Sequence, residues 1–163
     1  MTCVCAIDPG LTGGIAFFFP SHPERVSVYD MPTVDGEVDI LGLADIVRQM
    51  APTVAVVEKV NAMPGGGSRK MGATSAFNFG GAYTAARAVV TMAGVPMHLV
   101  PPGTWKKAAG IPGGPEGKEK ARAMALRLFP ACTDSFKRKK DHNRAEAALL
   151  ARYGVRFTVA DAA

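Results

Sequence analysis

The sequence predicts an α/β domain built on a mixed sheet, and three features carry that expectation. Short β-leaning apolar runs and helical patterns follow one another, three strands first, then helix and strand in alternation, then helices to the end. The 163 residues, 48% of them hydrophobic, suffice for one globular core and are cramped for two domains. Two of the strand-like runs end in a lone acid, Asp8 and Glu58, at the carboxyl ends where open α/β sheets place their sites. A three-stranded antiparallel meander would be joined by parallel strands reached through right-handed helical crossovers.

Each element has its own local reason. CVCAID (residues 3–8) is an apolar run closed by an acid, PGLTGG is turn chemistry, and IAFFF (15–19) returns as the second strand of a hairpin. RVSVYD (25–30), with alternating valines, makes the third strand. DILGLADIVRQM (39–50) has apolar positions at helical spacing and Asp39 as its N-cap. TVAVVEKV (53–60) is a continuous apolar run of the kind buried on both faces of a sheet. NAMPGGGSRKMGA reads as a flexible loop, and a long helix over about 73–93 follows and stops at Gly94. VPMHLV (95–100) is a further buried strand, closed by Pro101 and Pro102. Helices are expected over 103–109 and 117–129, separated by the loop GIPGGPEG, and a final helix within KKDHNRAEAALLARYG (139–154). One domain over 1–157 and a loose tail over 158–163 are therefore expected, with no internal repeat.

Composition narrows the class of partner. A formal charge of +5 and a pI of about 9.3 favour a polyanionic partner. Cys3, Cys5 and Cys132 are odd in number and lack zinc-finger spacing, so they read as buried, reduced thiols of a cytoplasmic protein. MTCVCAIDPG lacks the charged start of a secretion signal, and no run of about eighteen apolar residues suggests a membrane span.

The chemistry is carried by acids in unlikely places. Glu146 lies between Ala145 and Ala147 and just before Leu149 and Leu150, on or beside an apolar helix face. A lone carboxylate there costs several kcal/mol unless something pairs with it or binds it. If the strands ending in Asp8 and Glu58 are neighbours, their carboxylates lie side by side, and Glu146 can complete the group. Converging acids stay ionised only beside a cation, and oxygen-only ligands select Mg²⁺ or Mn²⁺. Two such ions about 4 Å apart suit in-line attack on a phosphodiester. Plainer roles compete: Asp8 as a turn former before Pro-Gly, and Glu58 as a strand-end acid paired with a cation such as Lys59. Asp141 is about 140° from Glu146 round an ideal helix, so it is either a fourth ligand reaching in from the first turn or the helix N-cap. His142 shares a face with Glu146 at i, i+4 and could orient water, bind metal or sit at the basic surface.

AIDPGLTGGIAFF, VVEKVNAMPGGGSRKMGATSAFNFGGAYTAAR, VPPGTWKKAAGI, GKEKARAMALRLFP and KKDHNRAEAALLARYG together resemble the RuvC Holliday junction resolvases, in particular their bacteriophage and prophage branch. The resemblance spans about residues 3–157. It implies an RNase H-like fold with strand order 3-2-1-4-5, a homodimer, and Mg²⁺-dependent paired nicking of four-way DNA junctions. Asp8 matches the first-strand aspartate, Glu58 the strand-end glutamate, and Glu146 the final carboxylate, an aspartate in the cellular enzymes. Those enzymes place another metal-site residue where this chain has Asn143, and the phage-like DHxRAEA pattern offers Asp141 instead. Asn61, followed by Met63, stands where cellular members carry an aromatic probe of the junction centre, which implies structure-led rather than strictly sequence-selective cutting.

Lys106, Lys107 and Lys118 match the phosphate-contacting lysines of these enzymes, and Arg69 and Lys70 would extend the basic surface. The run 137–140 does the same or is simply a solvated face. Phosphate contacts supply affinity and register rather than sequence choice. Competing readings are another RNase H-fold nuclease acting on RNA or flaps, a non-cleaving junction-binding module, and a sugar-kinase-like phosphate loop in DPGLTGG. The last would need two such domains.

Overall fold

Alternation along three central strands sorts the side chains of this chain into two hydrophobic layers. The computed structural model describes residues 1–59 and 72–158. Its strands are β1 (Val4–Asp8), β2 (Gly14–Phe18), β3 (Val26–Asp30), β4 (Thr33–Val34), β5 (Glu37–Val38), β6 (Val54–Glu58) and β7 (Met97–Val100). Five of them form one sheet in the order β3-β2-β1-β6-β7, and β4 and β5 form a separate ribbon. Counting sheet strands alone, this is the expected 3-2-1-4-5 order. The small ribbon was not expected, although its turn is the favoured hairpin pair Asp35-Gly36, with φ of 51° and 79°.

The helices are α1 (Ile40–Met50), α2 (Ala73–Met92), α3 (Pro102–Ala109), α4 (Gly114–Leu128) and α5 (His142–Gly154). Asp39 caps α1 as expected, accepting the Gly42 N–H at 2.9 Å. The final helix begins at His142, inside the expected stretch, and residues Lys139–Asp141 before it form a separate 3₁₀ turn.

Cys5, Ile7, Ile15, Phe17, Ala55 and Val57 face one side of the sheet and pack with residues of α1 and α2. Their alternating neighbours Ala6, Ala16, Phe18 and Val56 face the other side, against α5, Trp105 and Phe129. α5 lies unusually close to the strands. A Cβ at Gly14 would come within 2.8 Å of the Asn143 carbonyl oxygen, and one at Gly154 within 2.6 Å of Val56 Cγ2. Small residues at these two points let the helix rest on the sheet.

The expectations placed on Asn61, Met63, Arg69 and Lys70, and on the tail after Thr158, fall on residues outside those described. Among the described residues no helix is long and apolar enough to cross a membrane.

Candidate active site

Parallel pairing of β1 with β6 runs from Val4–Val54 to Ile7–Val57, and one step further stand Asp8 and Glu58. The two-residue period puts Asp8 on the face of Ala6, and Glu58 on that of Val56, which is the face that α5 covers. α5 brings Glu146 down onto the same strand ends. Among the described residues, Glu146 (8% exposed) and Asp141 (2%) are the two buried charged side chains.

The electrostatics show that the three acids feel one another. Burial pushes the Asp8 carboxyl well above the ordinary carboxylate range, the charges of Glu58 and Glu146 add to the rise, and Lys106 and Lys118 oppose it. Burial raises Glu58 as well; the hydrogen bond from Trp105 and the charge of Lys106 pull it back, and Glu146 pushes it up. Two basic or polar groups hold the glutamates: Trp105 Nε1 donates to Glu58 Oε2 at 2.7 Å, and Lys106 Nζ donates to Glu146 Oε1 at 3.1 Å. The lysine also lies 5.3 Å from the Trp105 ring centroid, a cation–π approach that steadies it. Among the described residues no three His, Cys, Asp or Glu side chains stand gathered as a ready ligand set. The donor chemistry nevertheless suits a hard divalent cation: oxygen ligands only, in a partly buried group whose repulsion a cation relieves.

Asp141 does not join them. Arg138 donates to it from its backbone N–H (2.7 Å) and from its guanidinium (2.8 Å at the closest), in a pairing local to the 3₁₀ turn. Burial alone would raise the Asp141 carboxyl, but these Arg138 bonds hold it below the ordinary value. Nor does its side chain cap α5; it closes the turn before the helix. Asp141 holds the N-cap position of α5 without a capping bond from its side chain, which the preceding arginine engages with both charge and donors within three residues.

His142 lies near Glu146 and Lys118. Burial and then the Lys118 charge lower its pKa, against an opposing pull from Glu146. Its Nδ1 is buried and finds no hydrogen-bond partner among the described residues. Asn143 donates from its side chain to the Thr12 carbonyl oxygen, tying the start of α5 to the β1–β2 turn. Arg144 grips Asp30 with two bonds of 2.7 Å, fixing the same turn of α5 to the end of β3. Lys107 and Lys118 are exposed, and the Lys118 charge acts on Asp8. Of the run at 137–140, Lys137 pairs with Asp134 and Arg138 with Asp141.

Sequence reading missed the Trp105–Glu58 bond and the Lys106–Glu146 pair. The signal for both was present in TWKK, a buried indole next to a lysine on a helix that follows β7. Only the crossover from β7 shows that this helix lands beside the strand-end acids.

A five-stranded mixed sheet flanked by helices, in this order, is the RNase H-like fold. Its solved neighbours include the RuvC resolvases. T. thermophilus RuvC in complex with Holliday junction substrate aligns over 97% of this chain and 97% of its own, with a TM-score of 0.65 and 19% identity. A Thermus thermophilus RuvC structure aligns over 96% and 97%, with a TM-score of 0.63 and 20% identity. At that identity the likeness is one of fold. No family model and no curated protein matches the chain.

Proposed function

We propose that this protein is a metal-dependent, structure-selective DNA endonuclease that resolves Holliday junctions and other branched DNA. The observation that carries the reading is that Asp8 and Glu58 end two adjoining parallel strands and that the charge of Glu146, from α5, acts on both. The shared fold with a junction-bound RuvC supports the choice of substrate, and the basic charge supports a polyanion.

Asp8, Glu58 and Glu146 would hold Mg²⁺, with Mn²⁺ as a substitute and two ions as our reading, supplying Lewis acidity and an activated water for phosphodiester hydrolysis. The chain's own residues prepare that event. Trp105 orients Glu58 and favours its ionised form against the burial that raises its pKa; Lys106 neutralises Glu146 and would be placed to take a phosphate oxygen. Lys118 adds positive charge where negative charge grows in the transition state. Hydrolysis would leave 5′-phosphate and 3′-hydroxyl ends. Lys107, with Arg69 and Lys70 on the loop outside the described residues, would contact phosphates.

Paired cutting needs two copies, and we read the protein as a homodimer working in the cytoplasm, of the bacteriophage or prophage type. The exposed apolar side chains Phe77 (79%), Leu41 (69%) and Ile40 (57%) on α1 and α2 favour an interface there.

The deciding experiment is Mg²⁺-dependent cleavage of a labelled four-way junction beside linear duplex, flap and RNA–DNA hybrid, for wild type and Glu146→Gln. Paired nicks near the branch that vanish in the variant are expected, with junction binding kept. Cutting that ignores the branch or prefers the hybrid would leave the fold standing and refute the substrate.

A further inference from the structure

Further along α3 and α5 from the carboxylates, the ends of α3, α4 and α5 surround one cavity of about 420 Å³. Glu146 lies near the start of α5 and Arg152 about 9 Å further along its axis. Gly154 rests on Val4, the first residue of β1, whereas Asp8 is the last. The cavity is walled by Arg127, Arg152 and Arg156 and floored by Met124 and Leu149, with Tyr153 beside them.

The arginines are not used up inside the molecule. Arg127 and Arg152 make no ion pair and no side-chain hydrogen bond among the described residues, and no described acidic residue lines the cavity. The Arg156 guanidinium is already laid over the Tyr153 ring, 3.5 Å from its centroid, with its Nε donating to the Tyr153 carbonyl oxygen at 3.1 Å. Each helix C-terminus carries about half a negative charge, so three of them offset only part of three guanidinium groups. The site is left with surplus positive charge above an apolar floor.

We propose that this cavity receives a protein segment carrying carboxylates next to a bulky apolar side chain. Carboxylates match the planar fork of arginine, and a neighbouring apolar side chain fills the floor, where Met124 adapts to its shape. A DNA backbone matches the charge alone: phosphates ask for donors and leave an apolar floor without a partner. The partner is thus an acidic, hydrophobic-tipped segment of another protein, docked where it leaves the strand-end acids open.

Fluorescence anisotropy of the full chain tests this with a labelled Asp-Asp-Leu-Asp-Phe peptide, an Asp-Asp-Ala-Asp-Ala counterpart and a labelled duplex of about 20 base pairs. The apolar peptide is expected to bind at least about fivefold more tightly than its alanine counterpart. Its affinity should fall at least about tenfold in Arg127→Glu/Arg152→Glu, with duplex binding within about twofold of wild type. The exposed single change Arg152→Ala should weaken the peptide in the same direction without disturbing the fold. Absence of binding at about 1 mM peptide, or equal affinity for the two peptides, overturns the proposal. So does indifference to the arginine changes. A loss of duplex affinity in the double variant assigns the surface to a DNA arm instead, and binding that emerges only in Asp161→Asn assigns it to the chain's own end.

Discussion

Asp8 sits beside Glu58 and Glu146 with its carboxyl raised well above its ordinary value of 3.8, burial being the largest cause. The folded protein therefore binds this proton more tightly than the unfolded chain. Stability from this group is full below the ordinary value and is lost as pH rises toward the raised one. Without metal, Asp8→Asn is expected to raise Tm at neutral pH by a few degrees, about 1 kcal/mol, with the gain fading on acidification in a pH series of thermal melts. Added Mg²⁺ should raise the Tm of wild type and not of Asp8→Asn. Asp141 behaves in the opposite sense, since Arg138 holds its carboxyl down: its contribution is present above the ordinary value and lost as pH falls. Asp141→Asn should cost about 2 kcal/mol in denaturant melts yet keep the Mg²⁺-induced shift. Loss of that shift would return Asp141 to the metal site. Trp105→Phe removes the indole N–H that opposes the burial-driven rise of Glu58, so the cleavage–pH profile should move to higher pH at a stability cost of about 1–2 kcal/mol.

α5 is the element on which the site depends most. It approaches β2 at Gly14 and β1 and β6 at Gly154, and Arg144 and Asn143 tie its first turn to the strand ends. Gly14→Ala would press a methyl on the Asn143 carbonyl and displace the turn before Glu146. It should lose about 2 kcal/mol of stability and most of the cleavage, whereas Gly80→Ala, a position with open space, should lose neither. Much of this scale was legible beforehand. Apolar runs ending in acids marked β1 and β6, helical spacing and Asp39 marked α1, and Glu146 between alanines marked a buried acid. The β4–β5 ribbon was passed over because two-residue strands carry too little pattern, even with Asp35-Gly36 between them. The 3₁₀ turn at Lys139–Asp141 was missed because its cause, a side-chain bond back to Arg138, has no periodicity.

For the whole molecule, a homodimer should sediment at twice the mass of one chain, and Phe77→Asp should yield monomers that fold but no longer make paired cuts. Junction affinity should fall steeply with salt, and Lys118→Ala should lower the slope of log affinity against log salt by about one. What the sequence by itself determined was periodic or local: which runs are strands, which faces are apolar, and which acids stand where acids are costly. Those follow from side-chain direction and hydration, which act over a few residues. Only the tertiary structure decided that β1 lies next to β6, so that Asp8 and Glu58 become neighbours, and that Glu146 meets Lys106 while Asp141 turns away to Arg138. Such choices rest on contacts between residues far apart in the chain, whose geometry appears only once the layers have packed.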